Sequence, residues 1–167
     1  MTDGEEVKTV SGRGIEAAAS NVDARVENKI SALAPEQLAI VRRGAEIIKS
    51  GGLVAFPTET VYGLGANALD AEAVRRIYET KGRPSDNPLI LHVSSIEMTE
   101  GLVELNWRAR MLMEKFWPGP LSIVLPAKEV IPSRTRGGLP TAAVRMPDAA
   151  VALALIKFSN LPIAAPS

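Results

Sequence analysis

The sequence predicts an α/β domain, and three observations carry that expectation. Apolar runs at 53–56, 89–93, 121–125 and 141–146 have the length of buried strands. Segments with apolar residues at helical spacing stand between them, and Gly or Pro marks most of the boundaries. The chain has 167 residues, 46% of them hydrophobic and 23% charged, which is enough to bury one core. Its formal net charge is zero, which argues against strong nonspecific nucleic-acid binding while leaving room for a local basic patch. There is no cysteine, so disulfides, thiolate metal sites and a cysteine nucleophile are excluded. No apolar stretch approaches the roughly 20 residues of a membrane span, and Glu5 and Glu6 come too early for a secretory signal. The expected location is the cytoplasm.

Residues 1–34 are rich in small and polar types, with weak patterning at Val22, Val26 and Ile30, and are expected to form a flexible or partly helical extension. The domain proper is expected from residue 35. A helix at 35–49 has Pro35 in its first turn, Leu38, Val41, Ala45 and Ile48 on one face, and Gly51 just past its end. The run at 53–56 is bounded by Gly51 and Gly52 before it and Pro57 after it, as a short strand would be. Gly63 and Gly65 then read as parts of a long loop. Asp70 is the expected N-cap of a helix carrying Ala73, Val74, Ile77 and Tyr78, with Lys81 and Gly82 at its end. A loop at 81–88 leads into the strand at 89–93. A helix carrying Met111, Leu112 and Phe116 is followed by the rigid turn Trp117-Pro118-Gly119-Pro120 and the strand at 121–125. Pro147 closes the last strand, and no internal repeat or low-complexity tract is present.

Two loops hold the chemistry. Thr58, Glu59 and Thr60 sit at the carboxyl end of the first strand, where open α/β sheets bind ligands, so their hydroxyls and carboxylate are candidates for orienting a substrate. In the second loop, Pro84 and Pro88 bias Arg83 and Asn87 toward extended conformations, which would project Lys81 and Arg83 from one side of the backbone. Two fixed cations there suit a polyphosphate; the plainer alternative is a solvated pair capping a helix dipole. His92 is the single histidine, near the end of an apolar strand. Arg145 interrupts another apolar strand, and a buried or cleft-facing arginine needs an anion; the plain alternative is a salt bridge to an acidic residue elsewhere in the fold. Gly63, Gly65 and Ala68 satisfy G-x-G-x-x-A, but the match begins seven residues after the strand ends and before any helical pattern, so a dinucleotide-binding turn is disfavoured.

The segments PTETVYGLG, KGRPSDNPLILHV, WPGPLSIVL, TAAVRMP and PIAAPS, in this order between Ala39 and Ser167, closely resemble the YrdC-like threonylcarbamoyl-AMP synthases. The resemblance implies a twisted mixed sheet with flanking helices. It also implies formation of threonylcarbamoyl-AMP and pyrophosphate from L-threonine, bicarbonate or carbon dioxide, and ATP, for the threonylcarbamoyladenosine modification of tRNA beside the anticodon. Carried over by position, it gives Lys81 and Arg83 the triphosphate as catalytic charge stabilisers. Ser85, Asn87 and Thr141 fall near the nucleotide, and Thr58, His92, Arg145 and Ser167 at substrate-binding positions. Mg²⁺ would accompany ATP, held largely by phosphates and water rather than by a dedicated protein site. Implied partners are the downstream tRNA threonylcarbamoyl transferase machinery and, as a further possibility, tRNA or double-stranded RNA. In the family the PIAAPS segment continues into further strand and loop, so the final part of the domain is expected to be missing. Competing readings are a non-catalytic RNA-binding module using Arg134, Arg136 and the Lys81/Arg83 pair, or an inactive remnant of the family.

Overall fold

The computed structural model describes residues 12–59 and 61–166, and side chains from residue 21 onward. Ser167 therefore lies outside the described residues. The first helix, α1 (Gly12–Ser31), occupies most of the stretch expected to be flexible or partly helical. Its Val22, Val26 and Ile30, four residues apart, are buried in the common core. The helix owes its order to that packed stripe more than to intrinsic propensity. α2 (Pro35–Lys49) begins with Pro35 in its first turn, and the Gln37 side chain accepts the Ala34 N–H at 2.9 Å. It buries Val41, Ala45 and Ile48, as the spacing predicts, and ends at Gly51, which has a φ of 80°.

β1 (Val54–Pro57) and β2 (Tyr62–Asn67) form an antiparallel hairpin in which Phe56 pairs with Gly63 and Val54 with Gly65. The two glycines therefore lie in a strand, not in a long loop. A Cβ on Gly65 would stand 2.5 Å from the Ile163 side chain and 2.6 Å from the Phe56 ring, so glycine here makes room for neighbouring side chains on one sheet face. The absent side chains remove the alternating apolar pattern that would announce a strand. α3 (Ala71–Lys81) starts at its expected cap, Asp70, whose carboxylate accepts the N–H groups of Glu72 and Ala73 at 2.9 and 3.2 Å. It ends at Gly82 in the left-handed region, φ 58°.

β3 (Ile90–His92) is followed by α4 (Ile96–Leu102), capped by Ser95, and α5 (Trp107–Phe116), capped by Asn106. On α5 the buried residues are Ala109 and Met113, whereas Met111, Leu112 and Phe116 are exposed. Then come β4 (Ser122–Pro126), β5 (Thr141–Arg145), α6 (Ala150–Ser159) and β6 (Ile163–Ala165). α6 is mostly apolar, with Lys157 exposed and paired with Glu27, and it sits against α2 and α1. Among the described residues the strands form one six-stranded sheet of order β1-β2-β6-β3-β5-β4. β3 and β5 are parallel and the other neighbours antiparallel, so the sheet is mixed, as expected. Among the described residues no helix is long and apolar enough to cross a membrane.

Candidate active site

The last strand in sequence, β6, enters the middle of the sheet beside β3, and this register builds the site. His92 pairs with Ile163 of β6 on one side and with Arg145 of β5 on the other. Cross-strand partners share a sheet face, so the histidine and the arginine stand side by side. With Thr58, Gly63, Ile90 and Ala165 they line a small cavity of about 90 Å³. That is well below the ~300–1,000 Å³ of pockets for drug-sized ligands, and suits a molecule of a few heavy atoms. Thr58, His92 and Arg145, 34 to 87 residues apart in the chain, are thus brought together.

Each wall is held by specific contacts. The Thr58 hydroxyl accepts the Val61 N–H at 3.2 Å, and the Thr58 N–H donates to the Val61 carbonyl at 3.1 Å, closing a tight turn. His92 is 4% exposed, stands edge-on to the Phe56 ring at 5.7 Å, and has Nδ1 3.3 Å from the Ile163 carbonyl. Burial, reinforced by the positive charge of Arg145, pushes its pKa down to about 4. At neutral pH the ring is uncharged, and the tautomer protonated on Nδ1 is the one that donates to the Ile163 carbonyl.

Arg145 is 9% exposed and does have an internal anion. Its Nη2 donates to the Glu59 carboxylate, and its Nε donates to the Gly119 carbonyl at 3.3 Å. The second Glu59 oxygen accepts the Asp148 N–H at 3.3 Å. Burial raises the Glu59 pKa, but the hydrogen bonds and charge of Arg145 together with backbone N–H groups outweigh it, and the carboxyl is held below its ordinary value. Glu59 was legible only as a carboxylate at a strand end; nothing in the sequence pairs it with Arg145. The Trp117-Pro118-Gly119-Pro120 turn also takes part. Gly119 N–H donates to the Met146 carbonyl at 2.9 Å, and a Cβ on Gly119 would meet the Phe116 carbonyl at 2.4 Å. The glycine permits the approach that brings its own carbonyl to Arg145.

The small pocket shares Val61 and Pro166 with an open cleft of about 370 Å³, also lined by Tyr62, Lys81 and Arg83. Lys81 and Arg83 do converge, but not from an extended backbone. Lys81 is in the last turn of α3, and Arg83 follows the left-handed Gly82, its N–H donating to the Tyr78 carbonyl at 3.0 Å. The helix cap performs the turn that an extended segment was expected to provide. Among the described residues neither cation forms an ion pair, and Arg83 Nε is buried without a hydrogen-bond partner.

Arg83 also borders a second opening of about 400 Å³ with Arg75, Tyr78, Glu79, Ser85 and Arg134. Asn87 is exposed in the same loop, and its carbonyl accepts from the Tyr78 hydroxyl at 2.9 Å. Gly137, φ 59°, lets the 133–138 turn pack on this loop, where a Cβ would stand 2.7 Å from the Asp86 carbonyl. Thr141 begins β5 at the end opposite Arg145, the end from which the 81–88 loop enters the parallel β3. Among the described residues no group of three or more His, Cys, Asp or Glu could hold a metal ion.

The Sua5/YciO/YrdC family model, described as telomere recombination, matches residues 46–167. A threonylcarbamoyl-AMP synthase of Pyrococcus abyssi is 60% identical over 128 residues, covering 76% of this chain and 38% of that protein. One of Bacillus subtilis is 53% identical over 129 residues, covering 76% and 37%. The chain thus spans less than two fifths of the length of these relatives. The crystal structure of P. abyssi Sua5 complexed with L-threonine superposes with a TM-score of 0.75 at 60% identity, over 76% of this chain and 38% of that one. E. coli YciO, at 24% identity and a TM-score of 0.70 over 78% of this chain and 64% of its own, shares the fold. With a family model covering more than half of its length and a mixed sheet shared with these structures, the chain belongs to the Sua5/YciO/YrdC family.

Proposed function

We propose that this chain carries the substrate-binding part of an L-threonylcarbamoyladenylate synthase, a nucleotidyltransferase. The observation that supports it best is the junction of two unlike cavities through Val61 and Pro166: a small pocket with Thr58, His92 and Arg145, and a larger cleft with Lys81 and Arg83. The first has the size and charge for a small amino acid, and the second for a polyphosphate. The names of the two relatives and the threonine complex of the P. abyssi protein point the same way.

In this reading the Arg145 guanidinium receives the threonine carboxylate, and Thr58 and His92 border the rest of the amino acid. The threonine nitrogen adds to carbon dioxide, forming an N–C bond and losing a proton, to give a carbamate. A carbamate oxygen then attacks the α-phosphorus of ATP, a new P–O bond forms, the α–β bridge breaks, and pyrophosphate leaves. Lys81 and Arg83 stabilise the charge on the phosphates, with Ser85, Asn87 and Thr141 on the nucleotide side and Ser167 at a substrate position. The orphaned Arg83 Nε favours an anion there. Mg²⁺ would neutralise phosphate charge while held largely by the phosphates and water. Residues 35–167 are the catalytic domain in this reading, with α1 docked on it, acting in the cytoplasm and passing the adenylate to tRNA threonylcarbamoyl transferase machinery.

The test is pyrophosphate release from ATP with L-threonine and bicarbonate, omitting each in turn, for this chain beside a form extended to the length of its relatives. Release that requires all three supports the synthase. Failure of both forms to release pyrophosphate or bind ATP, with salt-sensitive RNA binding through Arg134, Arg136 and the Lys81/Arg83 pair, supports the RNA-binding module instead. Binding of neither ligand supports the inactive remnant.

A further inference from the structure

Glu59 is tied to the site more tightly than a charge-balancing residue requires. One oxygen accepts from Arg145 Nη2, the other accepts from the Asp148 N–H, and Asp148 is itself held by Lys29 of α1 at 2.9 Å. Arg145 Nε is taken by the Gly119 carbonyl. A guanidinium has five N–H donors, so these two contacts leave both Nη1 donors and one Nη2 donor for a ligand. A carboxylate can therefore be received without expelling Glu59. A long side chain held at two of its nitrogens also has less rotamer freedom to lose when a ligand arrives.

We propose that Glu59 is a positioning residue for the substrate carboxylate: it holds the Arg145 guanidinium at a fixed angle in the small pocket, with its Nη1 edge presented to the ligand. The alternative, that Glu59 is a stand-in anion that the ligand must displace, makes the opposite prediction. The proposal rests on the reading that Arg145 receives the carboxylate of threonine.

The experiment is calorimetric titration of this chain with L-threonine and with L-threoninamide, which lacks the carboxylate, for the unsubstituted protein, Glu59→Ala, Glu59→Gln and Arg145→Ala. Glu59→Ala is expected to weaken threonine binding about tenfold, the scale of coupling within one hydrogen-bonded network, and to leave threoninamide nearly unchanged. The preference for the acid over the amide should therefore shrink. Glu59→Gln, which keeps an acceptor for Arg145, should recover part of the loss. That variant also decides the matter if Glu59→Ala does not fold, since an acid-over-amide preference equal to that of the unsubstituted chain overturns the proposal. Tighter threonine binding in Glu59→Ala overturns it in favour of displacement. Threonine binding that Arg145→Ala abolishes and Glu59→Ala leaves intact overturns it while the threonine reading stands. An unsubstituted chain that binds no threonine overturns both.

Discussion

In the proposed reading the two halves of the site would hold a charged ligand in opposite ways. In the small pocket the charged group is buried and balanced inside the protein: Arg145 has Glu59, and His92 is neutral beside it. In the cleft, Lys81 and Arg83 border open space with no acidic partner among the described residues. A buried charge left unpaired is costly, so the pocket must carry its own counter-charge before any ligand arrives. Lys81 at the open cleft is solvated and needs none, whereas Arg83 is half-buried with an unpartnered Nε. The pocket should therefore be stiff, selective and coupled to stability, whereas the cleft should be salt-sensitive and nearly independent of folding.

The most severe way to break that contrast is Arg145→Ala. Removing one partner of a desolvated charged contact typically costs about 2–5 kcal/mol of binding, so threonine affinity should fall by roughly 30-fold or more. Folding stability should fall as well, because Glu59 loses its counter-charge. Titration and a urea melt on the same samples check both; lost affinity with unchanged stability would show that the pair is not structural.

The next largest effect is the pH dependence of the pocket. His92 titrates near 6.5 when unfolded and about 4 when folded, so the folded state binds fewer protons between these values. Its contribution is fully present above about pH 6.5 and declines as pH falls toward 4, by about 3 kcal/mol in all. Glu59, with a lowered pKa, adds its own loss only at more acid pH, as pH falls through its folded value. Urea melts from pH 7.5 to 4.5 should show the slope, and His92→Gln should flatten it.

Gly65→Ala comes third. A Cβ overlapping the Ile163 and Phe56 side chains should cost about 1–3 kcal/mol through overpacking, measured by thermal melting, and should loosen the β2 wall of the pocket. The smallest effects on folding belong to Lys81→Ala and Arg83→Ala, which should leave stability within about 0.5 kcal/mol. In a form extended to the length of its relatives, each should weaken ATP binding about tenfold, less so at high salt. Unchanged ATP affinity in both would remove the cleft from the nucleotide reading.

Legibility in the sequence follows the same division. The cap at Asp70, the stop at Gly82 and the buried stripe of α2 were readable because capping and helical spacing are local. α6 carries little amphipathic signal because it is apolar along most of its length, Lys157 apart. β2 was hidden because Gly63 and Gly65 put no side chain into the alternation that marks a strand. On α5 the apolar residues at 111, 112 and 116 drew attention, while the quieter Ala109 and Met113 face the core.

The sequence by itself determined the α/β class, most of the helix and strand positions, and the residue types gathered in each loop, because these depend on periodicity, caps and glycine or proline within a few residues. Only the tertiary structure decided that Glu59 faces Arg145, that His92 lies between Ile163 and Arg145, and that Gly119 supports the guanidinium. Those relations join residues 26 to 86 positions apart through strand order and register. Register follows from how whole side-chain faces fit together, and no local segment of the chain contains that information.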